Sequence, residues 1–303
     1  MVWAPVGFNL ASMTSIPLLA IIAYPFTRTL GLVPAYNILS LMAPVTAAVC
    51  AYALCRQITG KFWPSLVGGY VFGFSGYMLG QSLNHLCLVA VFAFPLAAYL
   101  VVARFQDRIR PARFATLLAL TLVAQFLIDL ELFATGVLFG ALMLAAIVYY
   151  SSPSERNRYY AGIPLLGAGL FAAVVAMSPY IYYFLAFSRL RQPFWPSEFF
   201  STDLLNFVIP TRVNLLGTNH WAQSISSHFP GRLAEQGGYI AFPVFLMVFL
   251  WARRNWHQPI CKALVAVLVA GCVATLGPWL HIGGDAKSIL PWLAFVRLPL
   301  LEH

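Results

Sequence analysis

Basic residues in this chain gather in every second gap between its apolar stretches, and that alternation constrains the fold more than any other feature. Arg56 and Lys61 occupy one gap, Arg104, Arg108, Arg110 and Arg113 a second, Arg156 and Arg158 a third, and Arg253, Arg254 and Lys262 a fourth. These four loops hold eleven of the 18 basic residues. The gaps between them carry none, apart from one long polar segment, 188–237, with four arginines. Loops kept in the cytoplasm retain Lys and Arg, whereas long translocated loops escape the bias. The pattern is that of a polytopic membrane protein with the four basic gaps inside and the turns between them outside.

Composition excludes the competing classes. Hydrophobic residues make up 61% and charged residues 9% of 303, with a mean hydropathy of +0.80. That leaves too little polar surface to cover a soluble globule. A formal charge of +9 raises nucleic acid as a partner, but the basic residues are dispersed over separate loops and form no aromatic-interleaved stripe. The lipid bilayer and its anionic headgroups are the expected partner, and nucleic acid is not. Cys50, Cys55, Cys87, Cys261 and Cys272 show no CxxC and no His at metal-ligand spacing. They are expected to fill small gaps in the core, with no metal and no cofactor. The opening Met1-Val2-Trp3-Ala4-Pro5 lacks a basic n-region and a cleavage site, so insertion is assigned to internal spans.

The expected fold is all-α: a polytopic transmembrane helical bundle of seven or eight spans with an extracytoplasmic loop region. Residues 1–32 form an outer or interfacial segment, because the apolar patch Ile16 to Phe26 is short and broken by Pro17 and Pro25. Residues 33–187 hold transmembrane helices, 188–237 an extracytoplasmic loop, and 238–303 the C-terminal transmembrane helices. Val33 to Leu54 is the first full span. A glycine-rich helix from about Ser65 to Gly80 returns outward, its small residues permitting close helix approach. Leu86 to Ala103 comes back, Phe114 to Tyr150 forms a helical hairpin, and Ala161 to Phe187 crosses outward. Tyr239 to Trp251 and Leu264 to His281 complete the set, with the run Ile289 to Leu301 left open.

Acidic residues follow the opposite bias. Only Asp107 and Glu155 of the nine lie in basic gaps, and the other seven are assigned to the outer face. Asp129 and Glu131 sit at the turn of the Phe114–Tyr150 hairpin. A carboxylate near a membrane helix is costly and usually faces a cavity or partner. Residues i and i+2 of a helix point about 200° apart. One acid is therefore expected to cap or face solvent while the other points inward. The loop 188–237 adds Arg189, Arg191, Arg212, Arg232, His220, His228 and Glu235, with Phe194, Trp195 and Trp221 among its aromatics. Arginine forks suit phosphate, while aromatic faces suit sugar rings or the headgroup level of a bilayer. An amphipathic loop lying on the membrane, anchored by Trp195 and Trp221, accounts for the same residues. No GxSxG, P-loop, HExxH or dinucleotide-binding glycine pattern occurs.

Several motifs appear in a telling order. Pro5-Val6-Gly7-Phe8-Asn9-Leu10 precedes Thr14-Ser15-Ile16-Pro17; Gly73-Phe74-Ser75-Gly76-Tyr77-Met78 precedes Asn84-His85-Leu86; then come Gln125-Phe126-Leu127-Ile128 before Glu131, Glu235 with Tyr239, and Leu276-Gly277-Pro278-Trp279-Leu280. This succession resembles large bacterial membrane glycosyltransferases of the GT-C type, over most of the chain. The resemblance implies a multi-pass inner-membrane enzyme that takes a sugar from a polyprenyl-phosphate donor and passes it, at the outer face, to an unknown acceptor. In such proteins a first span and an outer loop bearing an acidic general base come before the P-x-G-x-N-L stretch. Here no Asp or Glu precedes Asp107. Either Met1 is an internal start and the chain is a fragment, or it is a relative without the usual base. Leu301-Glu302-His303 reads as a second truncation point or as a native end.

Transfer from a lipid-linked sugar needs a carboxylate within reach of the acceptor hydroxyl and cations where charge grows on the departing phosphate. Glu131, Asp129 and Glu235 are the carboxylate candidates; Arg212, Arg232 and His85 are the phosphate candidates, with Trp221 as an aromatic contact. A groove beside the glycine-rich helix is expected to hold the polyprenyl tail. A transporter, flippase or non-catalytic scaffold is the alternative, marked by Gly68 to Gly80 and Pro179. Transporters carry internal repeats and midplane ionisable groups, and neither is evident here.

Overall fold

The structure, a computed structural model, describes residues 16–187 and 197–293. It is mostly helical: α1 (Pro17–Leu30), α2 (Leu32–Thr59), α3 (Phe62–Gly73), α4 (Gly76–Gln81), α5 (Leu86–Val89), α6 (Ala93–Phe105), α7 (Pro111–Phe126), α8 (Leu130–Tyr150), α9 (Pro153–Phe187), α10 (His220–Ser226), α11 (Phe242–Asn255) and α12 (Pro259–Thr275). Two strands, β1 (Trp279–Ile282) and β2 (Asp285–Ile289), pair antiparallel. Among the described residues four helical stretches are long and apolar enough to cross a membrane: α2, the α5–α6 run Leu86–Phe105, α8, and α9 over Pro153–Ala186. At 1.5 Å per residue, about 20 residues cover a 30 Å hydrocarbon core. Helices α7 and α12 are apolar but shorter.

The chain divides into two compact units, each discontinuous in sequence. Among the described residues, the first comprises 16–73, 86–137 and 158–187; the second comprises 74–85, 138–157 and 197–293. The grouping cuts across the segments that polarity alone defines.

In the first unit α2 buries Ala35, Ala43, Ala47 and Ala51, which fall on one face at multiples of four residues. The small face lets α3 close in. A side chain at Gly69 would lie 2.7 Å from the Ala48 carbonyl oxygen, and one at Gly73 would lie 2.6 Å from that of Pro44. The space beside Gly69 and Gly73 is filled by α2. Leu100 of α6 packs with Phe114 and Leu118 of α7 as a second centre of burial.

Polar contacts at the ends of these helices bring three basic gaps together. The Gln57 side-chain amide donates to Gln106 at 2.8 Å, Arg108 donates to Gln57 at 3.0 Å, and Arg158 donates to the Phe105 carbonyl. At the opposite end of α7, the Leu18 N–H donates to the Leu127 carbonyl at 3.2 Å. The start of α1 therefore adjoins the α7–α8 turn that carries Asp129.

Three expectations need correction. The helix drawn from Ser65 to Gly80 breaks after Gly73, because the Ser75 hydroxyl accepts the Met78 N–H at 3.4 Å and starts α4 afresh. The span drawn to His281 stops at Thr275. Gly277 takes φ 70° and Pro278 has no N–H to continue a helix. The chain then enters β1, so the fold is not purely helical.

The second unit is organised by buried polar side chains. Gly283 and Gly284, at φ 64° and 93°, form the two-residue turn that suits the twist of a hairpin. The Asp203 carboxylate, 1% exposed, accepts the N–H groups of Gly283 at 3.1 Å, Gly284 at 2.7 Å and Leu205 at 2.9 Å. Asn206, also buried, accepts the Gly238 N–H at 2.9 Å and donates to the Ile209 carbonyl at 3.3 Å. Helix α11 has no buried residue, which fits a helix whose solvent is lipid.

Candidate functional site: an acidic cleft in the second unit

The cleft forms where α4, residues 233–239 and the C-terminal half of α12 meet. Gly76 and Gly80 allow α4 to approach backbone directly: a side chain at Gly80 would lie 3.1 Å from the Ala234 carbonyl oxygen. Gln81 ends α4 and is buried. Its amide nitrogen donates to the Ala234 carbonyl at 3.1 Å, and its amide oxygen lies 2.9 Å from His85 Nδ1. With the amide nitrogen committed to a carbonyl, the oxygen is the acceptor, and His85 Nδ1 carries the proton. His85, Gln81 and the backbone just before Glu235 thus form one chain of hydrogen bonds.

Glu235 opens into a cleft of about 680 Å³. Tyr77, Phe139, Phe200, Phe207 and Trp292 supply its aromatic surface, and Gly271 and Cys272 of α12 also line it. Glu235 Oε2 is buried and meets no hydrogen-bond donor among the described residues. An unsatisfied carboxylate oxygen costs several kcal/mol in an apolar setting. Such groups concentrate where a ligand completes them.

The other residues singled out from sequence are distributed differently. Asp129, 6% exposed, accepts the Leu132 N–H at 2.8 Å and caps α8, with the Cys87 thiol against it. Glu131 occupies the first turn of α8 and is exposed. These two acids belong to the first unit, whereas Glu235, His85, Arg212, Arg232 and Trp221 belong to the second. Arg212, Arg232 and Trp221 are all exposed, and none lines the cleft. Arg189, Arg191, Phe194, Trp195 and the Pro5–Leu10 stretch lie outside the described residues.

Gln81, Asn206 and Asp203 were missed by sequence reasoning. The four-residue spacing of Gln81 and His85 was the available signal for the first. The Gln81 contact to Ala234 spans 153 positions and has no local signature. Among the described residues no cluster of His, Cys, Asp and Glu could hold a metal ion.

Residues 1–293 match the family model described as domain of unknown function DUF6311, and the chain belongs to that family. No curated protein and no solved structure matches it.

Proposed function

We propose that this DUF6311 protein is an integral membrane glycosyltransferase of the bacterial inner membrane, drawing on a polyprenyl-phosphate-linked sugar at the outer face. In this reading, at the upper end of the expected seven or eight, the chain crosses the bilayer eight times. The crossings are α2, α3, α5 with α6, α7, α8, α9, α11 and α12, and the four basic gaps remain inside. One observation carries the proposal: Glu235 holds a buried carboxylate oxygen without a donor, in an aromatic-lined cleft, on a backbone position fixed by Gln81.

The chemistry follows from that placement. The carboxylate takes the proton of an acceptor hydroxyl as its oxygen attacks the anomeric carbon. The bond from that carbon to the phosphate oxygen breaks, and polyprenyl phosphate leaves with the electron pair. In this reading Arg232, three residues from Glu235, and Arg212 face the departing phosphate. Asp129 is committed to the α8 cap and serves position rather than proton transfer.

The test is release of polyprenyl phosphate by the protein reconstituted in liposomes with a panel of polyprenyl-phosphate sugars and membrane extract as the acceptor source. Wild-type protein should turn over at least one donor, and Glu235→Gln should lower the rate at least a hundredfold with membrane insertion intact. Equal rates for the two would remove Glu235 from the reaction. If Glu131→Gln rather than Glu235→Gln abolished turnover, the site would belong to the first unit.

A further inference from the structure

The side chains around the Glu235 cleft differ from those a phosphate site requires. Among the described residues that line it, none is Lys, Arg or His, and its one charged group is the Glu235 carboxylate itself. A phosphate brought inside the cleft would meet a like charge with no cation among the described lining residues to offset it, in surroundings that strengthen the repulsion. Groups that can donate hydrogen bonds are favoured instead. Glu235 Oε2 needs a donor, while Thr202 and Gln81 supply further polar atoms beside it. The faces of Tyr77, Phe200, Phe207 and Trp292 match the apolar faces of a sugar ring or similar polyol.

The lining that α12 supplies is apolar. Val267, Leu268, Gly271 and Ala274 line the cleft from the C-terminal half of α12, a predominantly apolar helix. An alkyl or prenyl chain lying along such a wall buries surface at about 25 cal/mol per Å². The cleft therefore joins a hydrogen-bond-accepting end to an apolar side, which is the complement of an amphiphile whose head donates hydrogen bonds and carries no negative charge. The aromatic faces favour a hydroxyl-bearing ring over an ammonium as that head.

We infer that the Glu235 cleft binds a neutral, hydroxyl-bearing amphiphile, with the head at Glu235 and the tail along α12, and rejects phosphate head groups. Resting on the proposed transfer reaction, this makes the cleft the acceptor side, and the phosphate of the donor must be held elsewhere. The acceptor is then a lipid with a free hydroxyl rather than a water-soluble sugar.

Cys272 in the wall of the cleft supplies a readout that needs no turnover. The full wild-type chain in lipid nanodiscs is treated with a maleimide, and modification at Cys272 is quantified by peptide mass spectrometry, with Cys50 of α2 as the internal reference. Three probes of equal tail length are compared below their micellar concentrations: octyl glucoside, octyl phosphate and octylammonium. Octyl glucoside should slow Cys272 modification about tenfold, leave Cys50 unchanged, and lose its effect in Glu235→Ala. Octyl phosphate should not protect. Protection by octyl phosphate, stronger protection by octylammonium than by the glucoside, or glucoside protection that survives Glu235→Ala each overturns the inference. Protection in a protein that turns over no donor would remove the transfer reaction and leave the ligand class standing. Turnover combined with phosphate protection would do the reverse.

Discussion

Asp203→Ala should release the β1–β2 turn, and the size of the effect can be worked from three hydrogen bonds. The Asp203 carboxylate receives Leu205 N–H through Oδ1, Gly283 N–H through the same oxygen, and Gly284 N–H through Oδ2. The Leu205 bond is local, so only the two glycine bonds tie the hairpin to the 203–207 turn. Hydrogen bonds to a charged group contribute about 1.5–3 kcal/mol each. Both glycines are partly exposed, and their N–H groups regain water when the carboxylate is removed, which places the pair near about 3 kcal/mol, the low end of that range. At about 1.4 kcal/mol per factor of ten, Gly283 and Gly284 amide exchange should quicken roughly a hundredfold. Asp203→Asn keeps Oδ1 but turns an amide nitrogen toward the Gly284 N–H. It should cost about half as much, with Gly284 affected more than Gly283. Hydrogen exchange of the protein in nanodiscs, resolved to the 279–289 peptide, reads both variants. Exchange within threefold of wild type in Asp203→Ala would refute the clamp, and equal rates for Ala and Asn would refute its geometry.

Other perturbations give equally definite outcomes. Gly69→Leu and Gly73→Leu should drive α3 off α2 and abolish recovery of folded protein in detergent. Gly140→Ala, with nothing within 4 Å of the added carbon, should be silent on the same size-exclusion profile. Ser75→Ala removes the α4 cap and should cost about 1 kcal/mol, read as faster exchange over residues 76–81. In the hairpin, the hydrogen bond and charge of Lys287 hold the Asp285 carboxyl below its ordinary value of 3.8. A lowered folded value stabilises the hairpin above that pH and is lost as pH falls through it. Protection over β2, relative to the intrinsic amide exchange rate at each pH, should therefore be flat from pH 5 to 8 and fall only under strong acid. The effect should be small and salt-sensitive because both side chains are exposed.

Hydropathy made the long crossings legible because a bilayer core demands length and apolarity, and both are local properties of sequence. The α7–α8 turn was legible for a related reason. Two acids inside an otherwise uninterrupted apolar run must mark a break, and Asp129 does cap α8 while Glu131 faces away. Glycine was harder to read. Gly68 to Gly80 looked like one packing helix, yet Gly69 and Gly73 meet α2 whereas Gly80 meets Ala234. A missing side chain records that something approaches closely without recording what. The hairpin carried a readable signal in Gly283-Gly284 between two short alternating stretches. It was lost because the preceding apolar run of α12 appeared to continue into β1. The cleft was the least legible feature, since its anchor joins residues 81 and 234, which are 153 positions apart.

The meeting of basic gaps in the first unit is a final constraint on how the chain is placed. Arg56, Arg104, Arg108 and Arg158 belong to loops joined by the Gln57–Gln106–Arg108 and Arg158–Phe105 contacts. One acid pairs with them in the described structure, Asp107, 2.6 Å from Arg104. Gathering like charges at one end of a unit opposes folding in water. The contacts that close this end are consequently made by neutral amides and backbone carbonyls rather than by ion pairs. A membrane changes that balance, because each basic residue near an anionic leaflet gains about 1 kcal/mol. Charge retention during insertion also fixes which ends of the helices come to lie together before they pack. The Gln57 and Gln106 amides act as neutral spacers among these cations. On the proposed orientation, that arrangement puts the Leu18–Leu127 contact and the Asp129 cap at the opposite, outer end.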